Sequence, residues 1–494
     1  MNIIDNDLLS IQEARILAER AKEAQLVLAA YTQEQLDTIV EAMVKEIKNH
    51  IKELAVLSCE ETDYGRWQDK YLKNKFVCEY IIKHIKNMKC VGVIGYDKEK
   101  SIVDIGIPVG VIAAICPVTS PVSTTIYKAV IAIKSGNAIV FSPHPRAKDV
   151  MKKTLDILIK AAEENGLPSG ALSYMSTISK VGTCELMCHN CVSLIMNTGM
   201  NKLLEMSYKS GKPLIYGGVG SGPAFIERTA DINKAVKDII DSKSFDYGIL
   251  SAAEQSVVVD KVVEDKVREA FIKNGAYFMN EEEERRLGEL LYNQDGSLNY
   301  HMVGKSASFL SEKAGFSVKE DVKLLISFQK YVSETNPYSK EKLCPVIAYY
   351  VEDDWRLACE KCIELLISEG KGHTLVIHSK DPWVIEQFAL KKPVGRMLVN
   401  TPATYGSMGA TTNIFPAMTL GSGSAGTGIT SDNVSPKNLI YIRKVGYGVR
   451  TVEDVREECG LNAENMDDCG IVREDSFVDM LTLKDMLDKI LNNK

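Results

Sequence analysis

The segment Phe245-Asp246-Tyr247-Gly248-Ile249-Leu250-Ser251-Ala252-Ala253-Glu254-Gln255-Ser256 runs straight into Val257-Val258-Val259. A loop of small residues opening onto a β-branched run predicts a turn that delivers one side chain to a buried site just ahead of a strand. Two other groupings invite chemistry. Cys184-x3-Cys188-His189-x-Cys191 carries zinc-type ligands, but the spacing is not that of paired knuckles. Cys184 and Cys188 fall one helical turn apart and Cys191 heads an apolar run, so small apolar residues at a helix-to-strand junction are expected, and no metal. Gly217-Gly218-Val219-Gly220-Ser221-Gly222 approaches the G-x-G-x-x-G dinucleotide fingerprint without matching it.

The elements that position these residues alternate. Ile11, Ala14, Leu17, Ala18 and Ala21 share one helical stripe, and Thr32-Gln33-Glu34-Gln35 is a capping box opening a second helix. These predict two long amphipathic helices over about 10–60, with a third from about Trp67 to Lys89. Residues 89–107 alternate around a turn, as a hairpin does. From Pro108 onward, short apolar strands such as Val109–Cys116 and Ala138–Phe141 alternate with helices, one of them over about 147–165 before Gly166-Leu167-Pro168. That alternation predicts a parallel α/β sheet covered on both faces. At 494 residues, two or three domains are expected. A formal charge of −7 with scattered basic residues argues against nucleic-acid partners, and no apolar run reaches membrane-spanning length. Twelve cysteines at irregular spacing and no signal-like N-terminus predict free thiols in a cytoplasmic protein.

The loop 245–256 resembles the nucleophile loop of the aldehyde dehydrogenase superfamily, in its CoA-acylating branch. Further blocks extend the resemblance over about 10–448: Pro108–Ile112, Ser142–Lys148, Ser210–Pro213, Glu341–Val346, Gly372–Thr374, Thr411–Asn413 and Asn438–Arg443. The resemblance implies an α/β aldehyde dehydrogenase fold: a Rossmann-like NAD-binding domain over 1–240 and an α/β catalytic domain over 241–430. It also implies a hairpin arm at 89–107 and an oligomerisation strand within 431–450, hence a homo-oligomer, dimer or tetramer. Implied cofactors are NAD and, as acyl acceptor, coenzyme A, with a short aliphatic aldehyde as substrate. By the same resemblance, Ser142 and His144 lie beside the adenosine ribose, Thr198 and Gly199 near the pyrophosphate, Glu341 at the nicotinamide ribose, and Gly218 among the cofactor-binding residues. His373 belongs to a matching block. The hydrolytic branch's catalytic glutamate has no counterpart in Ile215-Tyr216-Gly217-Gly218.

Two positions depart from the family pattern. Ser251 stands where the family has its nucleophilic cysteine, and Ser120 where it has an asparagine that helps hold the oxyanion. A cysteine near pKa ~8.5 supplies some thiolate at neutral pH, whereas a serine needs an adjacent base. No histidine lies between His189 and His301 to provide one. Two readings follow, an acylating dehydrogenase with Ser251 in the nucleophile's place, or a catalytically silent paralogue that binds nucleotides or serves in assembly. Residues 451–494 read as a linker and an amphipathic stretch presenting Phe477, Met480, Leu483, Met486 and Leu487. Such tails resemble the peptides that take enzymes of this branch into bacterial microcompartments, to a shell or an active paralogue. A helix docked on its own oligomer is the other reading.

Overall fold

The computed structural model describes residues 5–220, 222–368 and 372–460. The C-terminal amphipathic stretch and its linker beyond Gly460 lie outside the described residues. Three helices, Asn6–Leu28, Gln33–Lys48 and Ile51–Thr62, occupy the segment where the pattern predicts two. The extra break falls at Asn49 and His50, where the ladder ends. The Thr32–Gln35 capping box forms in both directions, and Leu36, Ile39, Val40, Met43 and Ile47 are buried. The third predicted helix is not uniform: Trp67–Lys75 passes into a π-helical stretch, Phe76–Ile81, before Ile82–Ile85.

Two parallel sheets follow. The first has five strands in the order Leu172–Tyr174, Ala138–Ser142, Val111–Ile115, Val192–Thr198, Leu214–Gly217. Its centre, Val111–Ile115, is buried at every residue because helices cover both faces. The helix Lys148–Glu163 is the one predicted over 147–165, and Gly166 follows it at φ 95°. Cys184 and Cys188 ride the helix Lys180–Cys188, and Cys191 precedes the strand Val192–Thr198. The second sheet has seven strands, ordered Ala276–Phe278, Leu324–Phe328, Val346–Glu352, Ser256–Asp260, Pro223–Ile226, Gly372–His378, Val394–Val399. Every pairing within both sheets is parallel. No helix among the described residues is long and apolar enough to cross a membrane.

The chain passes from the five-stranded to the seven-stranded sheet between Gly217 and Pro223, and helix Ile232–Ser244 packs with the latter through Ala235, Val236, Ile239 and Ile240. The hairpin is Gly92–Asp97 and Ile102–Pro108, and its sheet is completed by Ile440–Gly446. Among the described residues, 95–103 with 444–460 form one unit by contact and the others a second. Along Ile440–Gly446 every residue after the first is exposed.

Gly220 marks how tightly the glycine run meets the loop of Ser251. A Cβ at Gly220 would sit 1.5 Å from the Ser251 carbonyl oxygen, which is backbone and cannot swing aside. Gly220→Ala is therefore expected to lower the unfolding free energy by about 1–3 kcal/mol, as overpacking does. Thermal unfolding checks this, and an unchanged midpoint would refute the contact.

Candidate active site

Helix Ile232–Ser244 delivers the chain to Asp246, Tyr247 and Gly248, which take left-handed φ values of 49°, 52° and 69°. Non-glycine residues adopt that region seldom, so surrounding contacts must hold it. They come from the helix Trp67–Lys75 and the turn before it. The Asp246 N–H donates to Asp69 Oδ2 at 2.7 Å, and Asp246 Oδ1 accepts the Arg66 N–H at 2.7 Å. Asp246 Oδ2 takes Lys70 Nζ at 3.1 Å and Lys73 Nζ at 2.6 Å, all three side chains being buried. Gly65, at φ 70°, permits this approach, since a Cβ there would fall 1.8 Å from Asp246 Oδ1. Burial works against the Asp246 charge, but the two ammonium groups outweigh it and hold the carboxyl below its usual range.

Beyond this turn, Ser251 reaches the wall of a cavity of about 640 Å³. The cavity lies where the carboxyl ends of the five-stranded sheet face segments that lead into strands of the seven-stranded one. Pro117–Ser120 follows one central strand, His144 another, Thr198–Asn201 a third and Gly218 a fourth. Across from them stand Ser251, Glu341 and His373. Crevices outside the carboxyl ends of parallel strands are where doubly wound sheets bind nucleotides. Gly199, at φ 72°, makes a bare turn there, with room for a Cβ only 3.1 Å from Pro117 Cβ. A backbone so exposed to the cavity fits a pyrophosphate-bearing cofactor.

Of the residues singled out in the sequence, Ser251, Ser120, His144, Thr198, Gly199, Gly218, Glu341 and His373 line this one cavity. Ser142 does not. It is buried at its strand's end and its hydroxyl pairs with Thr183 Oγ1 at 2.8 Å. Glu341 Oε1 accepts the Gly220 N–H at 2.9 Å, which fixes the carboxylate against the glycine run. Burial, with Arg146 adding, lowers the His144 pKa to about 4, so its imidazole is neutral at ordinary pH. His373 is likewise buried, lowered to about 3, and its Nδ1 lies 2.9 Å from Thr374 Oγ1.

A buried amine stands beside Ser120. Lys73 Nζ donates to Ser120 Oγ at 2.7 Å. Burial, opposed by Asp246, lowers the Lys73 pKa to about 8. Sequence reasoning missed this lysine because Asp246 and Lys73 meet only through the fold. The signal was a carboxylate inside the otherwise apolar loop, which demands a cation somewhere. Neither nearby thiol substitutes for a cysteine at 251. Burial raises Cys116, and it pushes Cys344 up to about 11. Glu254 is buried too, its Oε1 accepting the Ala403 N–H at 2.8 Å and its pKa raised by burial to about 7.

This arrangement is that of a known family. The model of the aldehyde dehydrogenase family matches residues 5–284. The bifunctional aldehyde-alcohol dehydrogenase of Escherichia coli K12 is 39% identical over 441 residues, covering 88% of this chain but 49% of that protein. The chain thus spans about half the length of such bifunctional relatives. The acetylating succinate-semialdehyde dehydrogenase of Clostridium kluyveri is 34% identical over 89% of this chain and 96% of its own. Among solved structures, a probable aldehyde dehydrogenase from Listeria monocytogenes superposes with a TM-score of 0.89 at 46% identity, over 92% of this chain and all of that one. The chain belongs to the aldehyde dehydrogenase family and within it to the CoA-acylating branch.

Asp246→Asn would leave two buried ammonium groups facing a neutral amide. A loss of roughly 3–5 kcal/mol of stability is expected, as for other buried pairs broken on one side. Denaturant unfolding measures it, and a loss below about 1 kcal/mol would mean the pair is solvated rather than buried.

Proposed function

We propose that the chain is an NAD-dependent, CoA-acylating dehydrogenase of short aliphatic aldehydes whose turnover is limited by Ser251. One observation carries the reading: Ser251 and Ser120 share a single cavity with Glu341, His144, Thr198 and Gly199. When bound there, NAD supplies a hydride acceptor and coenzyme A an acyl acceptor. Thr198, Gly199 and Gly218 would hold the pyrophosphate, His144 the adenosine side and Glu341 the nicotinamide ribose. Ser251 presents a hydroxyl where the branch has a thiol, and Ser120 a hydroxyl where it has an amide. Ile215–Gly218 offers no carboxylate to activate water for attack on an acyl group at Ser251, which favours a thiol acceptor there.

The base hydrogen bond falls on Ser120, so Ser251 lacks what makes a serine nucleophilic. Two buried, protonated thiols nearby favour a second reading, a silent paralogue that keeps the nucleotide site. NADH formation from acetaldehyde, propionaldehyde or succinic semialdehyde with CoA decides between them. Ser251→Cys is expected to exceed the unaltered chain by on the order of 100-fold or more, the worth of a missing proton acceptor. Silence of both proteins while NAD still binds would sink the dehydrogenase reading in favour of the paralogue. Turnover by the serine form at an equal rate would refute the role assigned to Ser251.

A second copy of the chain is the partner this reading assigns to the exposed strand Ile440–Gly446, where Tyr441 and Ile442 stand about half exposed. Ile442→Asp is expected to reduce the mass seen by sedimentation. An assembly unchanged by it would place the interface elsewhere. Recruitment to a microcompartment through residues 475–491 remains a proposal from sequence alone.

A further inference from the structure

Ser120 is the residue that precedes the fourteen-residue helix Pro121–Lys134, yet its hydroxyl does not cap that helix. It turns instead to Lys73, at 2.7 Å, on the wall of the cavity. Lys73 shares Asp246 Oδ2 with Lys70, so two ammonium groups face one carboxylate. The charged neighbours from every side are Lys70 and Asp69 on the same helix and Asp246 from the loop. Cys59, on the helix Ile51–Thr62, is neutral there, its thiol pushed up to about 11 by burial. Asp69 is already paired with Arg66, whose Nε donates to its Oδ2 at 2.7 Å, so a proton leaving Lys73 leaves behind a balanced Lys70–Asp246 pair and removes the surplus positive charge. That makes Lys73, rather than Lys70, the amine that can be neutral beside a hydroxyl. The helix N-terminus at Ser120 adds a positive backbone potential where negative charge on an oxygen would develop.

We propose that Ser120 and Lys73 are a hydroxyl nucleophile and its amine base, able to accept a short acyl group from an activated ester or thioester in the cavity. The inference rests on the proposed function only for the acyl class of the ligand; it needs neither nicotinamide nor Ser251. The step balances as follows. Neutral Lys73 takes the Ser120 proton while Oγ bonds to the acyl carbon. Collapse of the tetrahedral oxyanion breaks the bond to the leaving thiolate or alkoxide, which receives the proton back from Lys73. Water, its proton taken by Lys73, then cleaves the Ser120 ester, releasing a carboxylic acid and restoring the hydroxyl.

The test uses p-nitrophenyl acetate with the full chain and no nicotinamide cofactor, reading nitrophenolate release and mapping the acetyl group by peptide mass spectrometry. The acetyl group is expected on Ser120, formed faster as pH rises and levelling above about 8, where Lys73 has lost its proton. Ser120→Ala is expected to lose on the order of 100-fold in nitrophenolate release, and Ser120→Cys to keep the label at position 120. Lys73→Met should abolish labelling, with circular dichroism showing that the variant is folded. Should it fail to fold, the label position and pH profile of the unaltered chain still decide. Acetylation of Ser251 or a cysteine with Ser120 unmodified, a label indifferent to pH, or no label at all overturns the assignment. Gain of dehydrogenase turnover by Ser251→Cys with Ser120 unlabelled sinks this inference alone. A labelled Ser120 in a protein without that gain sinks the proposed function alone.

Discussion

One buried carboxylate organises this site. Asp246 is enclosed, and the charge it carries is tolerable only because Lys70 and Lys73 come to it and the Arg66 N–H meets its other oxygen. In return it holds two consecutive non-glycine residues in left-handed backbone, and that turn sets where the loop carrying Ser251 leaves the end of its helix. The same ammonium group reaches Ser120. Ser251 and Ser120 are thus tied to one electrostatic centre. At Ser120 a hydroxyl meets an ammonium group.

The energetics of that centre are asymmetric. Two cations share one anion in a buried space, so the cheapest adjustment is loss of a proton from an ammonium group while the carboxyl stays ionised. A serine placed beside that amine is in a different chemical situation from one elsewhere on the cavity wall. Ser120 has an amine at hydrogen-bonding distance, and Ser251 lines the same cavity.

Local chemistry was legible in the chain, and distant chemistry was not. The Thr32–Gln35 box spans four residues and formed as written, as did the alternating strands of the parallel sheets, because each is decided by neighbours in sequence. Eight of the residues noted from the motifs line one cavity. Ser142 did not join them, since the direction of a side chain at a strand end depends on pleat and register, and there it meets Thr183. The change of sheet at 218–222 was hidden in a glycine run whose meaning lies in its approach to Ser251 rather than in a fingerprint. Lys73 was invisible because nothing within its own helix distinguishes it from a solvated lysine.

The contacts that create the centre join residues 176 and 180 positions apart. Closing so long a loop is entropically expensive and precedes any reward, so such pairings form late as a chain folds. An incompletely folded molecule holds two ordinary serines and two ordinary lysines. Unusual acidity in this protein is thus a property acquired at the final stage of its folding, and the site's reactivity serves as a gauge of whether that stage has been completed.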